Sequence, residues 1–387
     1  MAEKTSSKQL KGKTILLISP DRWGEMHISK HHYAKSLAKR GNTVYFLNPP
    51  SDNLKTFATC VEIANYQNLY LVEYKRVGPK FLRFKARWLF DRLIKRLIRK
   101  LSTFIPDEID LVWCFEPNLF SNPRLFTSKG DFIYHPVDEL YYPYQYVPGE
   151  SADLILASAQ EYLDKFGKTK AQKVFINHGL AKYFFEASKR IVEYPNTNKL
   201  KVGYAGNMLR AEIDTEAFTE IIGANPEIEF HIWGTYARKD SNLGGESTDQ
   251  AVEFVKALKS ASNVDLHGAV SPKVLAEEMQ NMDAFLICYD VIKDRSSGTN
   301  YHKVLEYLNT GKIVISNNVT TYKNMPEMVQ MVDSRTDNDS LPTLFKEVMQ
   351  NLEVHNSIEL QNKRIAYSLT NSYSNQIKRI ESLLYKI

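Results

Sequence analysis

Cysteine is scarce: Cys60, Cys114 and Cys288 are the only three in 387 residues, odd in number and far apart. That argues against a disulfide framework and against a zinc site of paired cysteines, and it fits a reducing cytoplasm. No apolar run reaches the length needed to cross a bilayer. The opening residues, MAEKTSSKQLKGK, lack an apolar h-region, so no secretory signal is expected. There is no G-x-G-x-x-G, so a dinucleotide fingerprint is unsupported. Nor does one sign of charge dominate. With a net charge of +5, where the basic residues sit matters more than how many there are.

What is present is 43% apolar and 25% charged residues, the balance of a soluble globular protein. The length exceeds one comfortable core, so two domains are expected. The pattern gives a mobile polar tail over 1–12, a first domain over 13–186 and a polar linker over 187–199 around Pro195. A second domain then covers 200–365, and a C-terminal helix 366–387.

Thr14 to Ser19, TILLIS, reads as a strand. A loop to His27 follows, then a helix carrying Tyr33, Ala34, Leu37 and Ala38 that stops at Gly41, and a second strand over Val44–Leu47. This is the βαβ unit from which parallel sheets are built. Ligands of such sheets bind beyond the carboxyl ends of the strands, which puts Asp21, Arg22, Trp23, Glu25 and His27 at a cleft edge. A loop holding Trp and His serves packing equally well. Further strands are expected at Ile109–Phe115 and Phe132–His135; the second leads into His135, Asp138 and Glu139, then Tyr141, Tyr142, Tyr144 and Tyr146. A histidine and carboxylates at a strand end can move a proton or stabilise charge, and tyrosines offer an apolar face with a hydroxyl. The alternative is a Pro-bent loop whose tyrosines cover the domain.

Lys80 to Leu101, KFLRFKARWLFDRLIKRLIRKL, is the most basic part of the chain, with Asp91 its only acid. At helical spacing Leu89, Leu93, Ile94, Leu97 and Leu101 share one arc, opposite Arg92, Lys95, Arg96 and Arg99. Two readings fit: a basic helix lying on an anionic membrane surface, or a domain helix with a solvated basic side. No nucleic-acid module accompanies the patch, so no nucleic acid is expected as a partner.

The second domain repeats the alternation, with strands over Lys201–Ala205, Phe230–Trp233 and Ala284–Cys288. Helices are expected at Thr215–Ile222, Val274–Met279, over 341–369 and over 374–387. Gly206 and Arg210 fall in the loop after its first strand. The stretch Asp294–Asn317 then runs from a loop, Arg295-Ser296-Ser297-Gly298-Thr299-Asn300, into a short helix, a stop at Gly311 and a strand, Ile313–Ser316. A helix start with Ser296, Thr299, Asn300 and Lys303 around it suits an anion such as a diphosphate. One turn on, Glu306 can accept two hydroxyls, as a ribose offers. A capped surface helix with solvated charges is the plainer reading.

The segment HKVLEYLNTGKIVIS resembles the nucleotide-sugar motif of GT-B glycosyltransferases of the family-four type, Lys-x-x-Glu-Tyr-Leu-x-x-Gly-x-x-Val. Lys303, Glu306, Tyr307, Leu308, Gly311 and Val314 all match it. Ala152, Asp153, Ser158 and Leu163, with Asn177, His178 and Gly179, resemble the run that closes the family's first domain. GYAGN, NVDLHGAV and DAFLICY resemble its donor domain, so the likeness spans residues 152–317 at motif level. Gly298 departs from the family, standing where many members carry a first glutamate. No lysine follows Arg210 at the family's distance, so Arg295 or Lys303 would have to supply that charge.

The resemblance implies an α/β protein of two Rossmann-like domains facing across a cleft, the last helix crossing back to the first. It implies sugar transfer from a nucleotide diphosphate sugar to a glycan acceptor, lipid-linked ones included. The outcome would be retaining, with no metal and no cofactor beyond the nucleotide-sugar co-substrate. It would give Glu306 the ribose, and Gly206, Arg210, Arg295, Ser296, Thr299, Asn300 and Lys303 the diphosphate. His135 and Asp138 would lie near the reacting carbon, and Trp23, Glu25 and His27 on the acceptor side. The expected location is the cytoplasm, including the inner face of the cell membrane. Two rivals stand beside this: a nucleotide-sugar epimerase on the same scaffold, and a non-catalytic protein binding membrane or nucleic acid through residues 80–101.

Overall fold

Short β-branched and aromatic runs set the architecture, because a strand buried on both faces must be apolar along its whole length. The computed structural model describes residues 9–24, 27–79, 81–105, 107–137, 139, 143–188, 199–237, 249–294 and 299–385. The chain divides into two units, Met1–Asn177 with Tyr373–Ile387, and His178–Ser372.

The first unit holds β1 (Thr14–Ile18), β2 (Thr43–Leu47), β3 (Ala58–Glu62), β4 (Leu69–Tyr74), β5 (Leu111–Cys114), β6 (Asp131–Tyr134), β7 (Leu154–Ala157) and β8 (Gln172–Phe175). Their order is β3-β4-β2-β1-β5-β6-β7-β8. All neighbours are parallel except the edge pair β3–β4. The helices before the second unit are α1 (Ser29–Lys39), α2 (Leu82–Lys85), α3 (Arg87–Leu101) and α4 (Gln160–Asp164).

The second unit is a six-stranded, wholly parallel sheet of β9 (Lys201–Ala205), β10 (Glu229–Trp233), β11 (Val264–Gly268), β12 (Ala284–Ile287), β13 (Ile313–Ser316) and β14 (Val329–Met331). Its order is β11-β10-β9-β12-β13-β14. Its helices are α5 (Lys182–Ala187), α6 (Thr215–Ala224), α7 (Asp249–Ser260), α8 (Pro272–Glu278), α9 (His302–Leu308), α10 (Leu341–Gln350), α11 (Leu352–His355) and α12 (Ile358–Thr370). Side chains cap two of these starts: Asp214 accepts from Ala217 N–H at 3.1 Å and Ser271 from Val274 N–H at 3.3 Å.

Four expectations need correction. Residues 10–12 are not part of a mobile tail: Leu10 is fully buried, and its carbonyl accepts from Asn42 Nδ2 at 3.0 Å. A single leucine in a polar run carries no periodicity, so the pattern hid it. The first domain does not run to 186, because α5 belongs to the second unit and packs on α8. Residues 189–198 of the expected linker lie outside the described set. The segment 366–387 spans two elements: α12 ends at Thr370 in the second unit, and α13 (Tyr373–Tyr385), the helix expected from residue 374, belongs to the first. There α13 packs on α1, with Arg40 paired to Glu381 at 2.8 Å and Gln376 Nε2 donating to the Asn177 carbonyl at 2.7 Å.

The basic segment is likewise not one helix. The backbone breaks at Ala86 (φ −143°, ψ 62°), separating α2 from α3. The break turns the buried arc to Phe90, Ile94, Leu97, Ile98 and Leu101, leaving Leu89 and Leu93 half-buried. Burying five such side chains is worth about 1.5–3 kcal/mol each, so this face is committed to the core of the first unit. Only the outer side, with Arg92, Lys95, Arg96 and Arg99 exposed, is available to anything else.

Candidate functional site

In the second sheet the chain runs from β9 through β10 to β11 at one edge, then from β12 through β13 to β14 at the other. The direction reverses between β9 and β12, and doubly wound sheets bind ligands beyond the carboxyl ends of the strands at that point. The loop after β9, the loop after β12 and the start of α9 converge there.

The seat of α9 follows from its sequence. Val304, Leu305, Tyr307 and Leu308 are buried, and the Tyr307 ring stacks on Phe285 of β12 at 4.3 Å and 9°. The Tyr307 hydroxyl accepts the Ala205 N–H at 2.8 Å, which fixes the helix to the end of β9. Two glycines permit the approach. A Cβ on Gly206 would lie 2.6 Å from Lys303 Nζ. Gly234, at φ +128°, would put a Cβ 1.9 Å from the Gly206 carbonyl oxygen. No other residue fits there.

Lys303 thus reaches the sheet edge. Its Nζ donates to the Tyr289 hydroxyl at 2.8 Å and lies 5.3 and 5.4 Å from the ring centres of Tyr204 and Tyr289. Arg210 covers the same Tyr289 ring at 5.2 Å, donates to Glu212 at 3.2 Å and stands 3.8 Å from Asp294. Asp294, 3% exposed, also accepts from the Tyr301 hydroxyl at 2.7 Å. Asn317 accepts the Tyr289 N–H at 2.9 Å and donates to the Tyr301 hydroxyl at 3.2 Å. Asn338 donates to Asp214 at 2.8 Å and to the Tyr289 carbonyl at 2.9 Å.

The electrostatics follow. Burial alone raises the Tyr289 pKa, but Lys303, then Tyr204 and then Arg210 more than offset it, holding the hydroxyl below the usual tyrosine value. Burial works against the Arg210 charge, yet Tyr289, Glu212 and Asp294 keep it more firmly protonated than usual. Glu306 is half-buried, and burial pushes its carboxyl up to about 7 against the opposing pull of Lys303. The arrangement presents two cations seated on aromatic faces, with a carboxyl of raised pKa one helical turn on.

The other expected residues are distributed as follows. Thr299 is half-buried, and its carbonyl accepts from Thr321 N–H at 3.0 Å. Asn300 is 5% exposed, its carbonyl 3.1 Å from His178 Nε2. Arg295, Ser296, Glu25 and Asp138 lie outside the described residues, as does Gly298. His135 sits just past β6, 4% exposed, its Nδ1 accepting from Trp113 Nε1 at 3.3 Å, with Phe115 and Tyr33 packed on the ring. Trp23 and His27 join an aromatic cluster after β1: Trp23 packs on His27, His31 and Phe46. Burial and then Lys35 lower the His27 pKa. Of the expected tyrosines, Tyr146 donates to Glu139 at 2.7 Å and packs on Tyr162 and Phe166, a role in the core. Among the described residues no group of three or more His, Cys, Asp or Glu is placed to hold a metal ion.

Sequence reasoning missed Tyr289, Asp294, Tyr301 and Asn317 as site residues. The one signal was the position of Tyr289 immediately after an apolar strand.

No family model matches the sequence, and no curated protein matches it. Solved structures do. A sucrose-phosphate synthase from Thermosynechococcus elongatus aligns with a TM-score of 0.64 at 12% identity, over 97% of this chain and 98% of that one. A trehalose-6-phosphate protein from E. coli, bound with UDP-2-fluoro glucose, aligns with a TM-score of 0.68 at 11% identity, over 97% and 99%. HepE from Anabaena, in complex with UDP and glucose, gives a TM-score of 0.61 at 11% identity, over 97% and 100%. At such identities the likeness speaks for architecture: the chain has the GT-B fold, with two Rossmann-like domains.

Proposed function

We propose that the protein is a glycosyltransferase that moves a sugar from a nucleotide diphosphate sugar to a glycan acceptor, lipid-linked acceptors included. The observation that carries this is the pairing of Lys303 and Arg210 on Tyr289 at the reversal point of the second sheet, with Glu306 one turn further on. Two of the similar structures hold UDP or a UDP sugar, which supports the same class of donor here. In this reading Glu306 accepts the ribose hydroxyls. Lys303 and Arg210, with Gly206 and the 295–300 loop, meet the diphosphate. As the bond from the sugar to the diphosphate breaks, negative charge builds on the leaving oxygen. Fixed cations in a partly buried site stabilise that charge without reorganising. His135 and Asp138 are assigned to the reacting carbon, and Trp23, Glu25 and His27 to the acceptor. Transfer is taken as retaining and independent of bound metal.

The test is calorimetric titration of UDP, GDP and related diphosphates into wild type, Lys303→Ala and Glu306→Ala. Both substitutions are expected to weaken one nucleotide. If neither weakens any, the site assignment is wrong. Product analysis with and without an acceptor separates transfer from epimerisation.

A peripheral position on an anionic membrane belongs to the same reading. It is supported by the outer side of α2 and α3, where Phe81, Phe84 and Trp88 are 57%, 48% and 64% exposed among basic residues. Each cation near such a surface contributes about 1 kcal/mol. Replacing Arg92, Lys95, Arg96 and Arg99 by Gln should abolish sedimentation with phosphatidylserine vesicles while nucleotide binding persists.

A further inference from the structure

Beneath α2 and α3 the first unit encloses a cavity of about 230 Å³. That exceeds the ~150 Å³ apolar cavity that takes up benzene in an engineered core. Phe90, Ile94 and Leu97 of α3 line one side, together with Leu119. Phe84 lines it too and is 48% exposed, so the cavity reaches the surface beside the aromatic side of α2.

One end is polar. Tyr74, at the close of β4, is 1% exposed, and among the described residues its hydroxyl has no hydrogen-bond partner. Burying a hydroxyl unpaired is unfavourable, so a shift of this ring that opens the hydroxyl to the cavity, where it meets a ligand oxygen or a water, is favoured. Burial and then Glu116 raise its pKa, while Arg76, Arg83 and Arg22 act the other way, which places the hydroxyl within electrostatic reach of all four. Arg83 is paired with Glu116 at 3.2 Å, and that carboxylate is fixed by the Asn118 N–H at 2.9 Å and the Leu119 N–H. Arg76 is paired with Asp52 at 2.8 Å, but Asp52 is 59% exposed. Two hydrogen bonds, at 2.8 and 3.3 Å, hold this pair, and its exposed carboxylate is the part that another anion can displace from Arg76.

A chamber lined by Phe90, Ile94, Leu97 and Leu119 and also by Tyr74 and Arg76 fits an amphiphile whose head is an anion. We propose that this cavity binds a lipid phosphate, with the phosphate on Tyr74 and Arg76 and the first part of the hydrocarbon chain against Phe90, Ile94 and Leu97. The proposal rests on the membrane-side part of the function proposed above, and not on the nucleotide site.

The probes are farnesyl phosphate below its micellar concentration, farnesol, and inorganic phosphate, each titrated into the full chain. Farnesyl phosphate is expected to bind at least tenfold tighter than either fragment. Val77→Trp fills the cavity from the half-buried loop after β4 and should abolish that binding. Tyr74→Phe, which keeps the ring and removes the hydroxyl, should weaken it at least threefold. A nucleotide titration and a melting curve on each variant show that the chain is folded and keep the two sites separate, since either can fail alone. Equal binding of phosphate and farnesyl phosphate would overturn the lipid assignment. So would unchanged farnesyl phosphate binding by a folded Val77→Trp variant, or no binding by wild type.

Discussion

The Glu306 carboxyl, held at about 7, makes the ribose assignment measurable. To accept two hydroxyls it must be ionised. A protonated carboxyl spends one oxygen as a donor, so affinity should fall as pH drops through about 7 and level off above it. The sign follows from the raised pKa: the free protein holds the proton near neutrality, and binding must expel it. Below that point the loss approaches tenfold per pH unit, because one proton is released per nucleotide bound. Glu306→Gln keeps the shape and one acceptor but loses the charge. Hydrogen bonds to charged groups are worth about 1.5–3 kcal/mol, so the variant should bind roughly 10- to 150-fold more weakly at high pH. The nucleotide phosphate itself titrates near pH ~6, and the variant corrects for that because it retains only the phosphate's share of the slope. Calorimetry across pH ~5.5 to ~8.5 gives both numbers. A 2′,3′-dideoxy diphosphate adds a second arm: it should bind wild type weakly and lose little more in the variant. If the variant keeps both the affinity and the pH slope of wild type, Glu306 does not hold the ribose.

Three further outcomes follow from local geometry. Tyr289→Phe removes the hydroxyl that Lys303 donates to at 2.8 Å, and should weaken diphosphate binding roughly tenfold with little effect on nucleoside binding. Gly234→Ala places a Cβ 1.9 Å from the Gly206 carbonyl at φ +128°. The backbone term alone costs about 1–3 kcal/mol, so calorimetric melting should fall by at least ~5 °C. Arg364 is fully buried and donates to the carbonyls of Glu327, Gly311 and His355 at 2.8, 3.0 and 2.7 Å. Arg364→Met strips three acceptors at once, and its unfolding free energy from chemical denaturation should fall by about 3–5 kcal/mol.

The parallel sheets were legible because buried strands such as TILLI and IVIS are apolar without interruption, and their connecting helices end at glycines. Gly311, read as a helix stop, takes φ +83° in the structure. The β3–β4 hairpin was not legible. Its strands ATCVE and LYLVEY mix polar and apolar residues at a sheet edge, and its turn uses Asn65 and Asn68 at positive φ instead of glycine. The arc of α3 was misjudged by about one position. Periodicity reports only that a stripe exists, and the break at Ala86 sets which way the stripe faces.

The site divides along the same line. Lys303 and Glu306 lie three apart on one helix, so their shared face is a local property that any sequence reading can reach. What makes Lys303 usable is not local. A lysine and an arginine brought near one aromatic ring in a partly buried site repel each other. Tyr289 meets that difficulty from the next strand end. Its ring faces both cations, and its hydroxyl oxygen accepts from the lysine. Each cation–ring contact is worth about 0.5–2 kcal/mol, and Asp294 and Glu212 bind the arginine from its far side. In the proposed reading Lys303 supplies from α9 the lysine that the loop after Arg210 lacks, and Gly234 keeps that loop in place because a Cβ there would meet the Gly206 carbonyl oxygen at 1.9 Å.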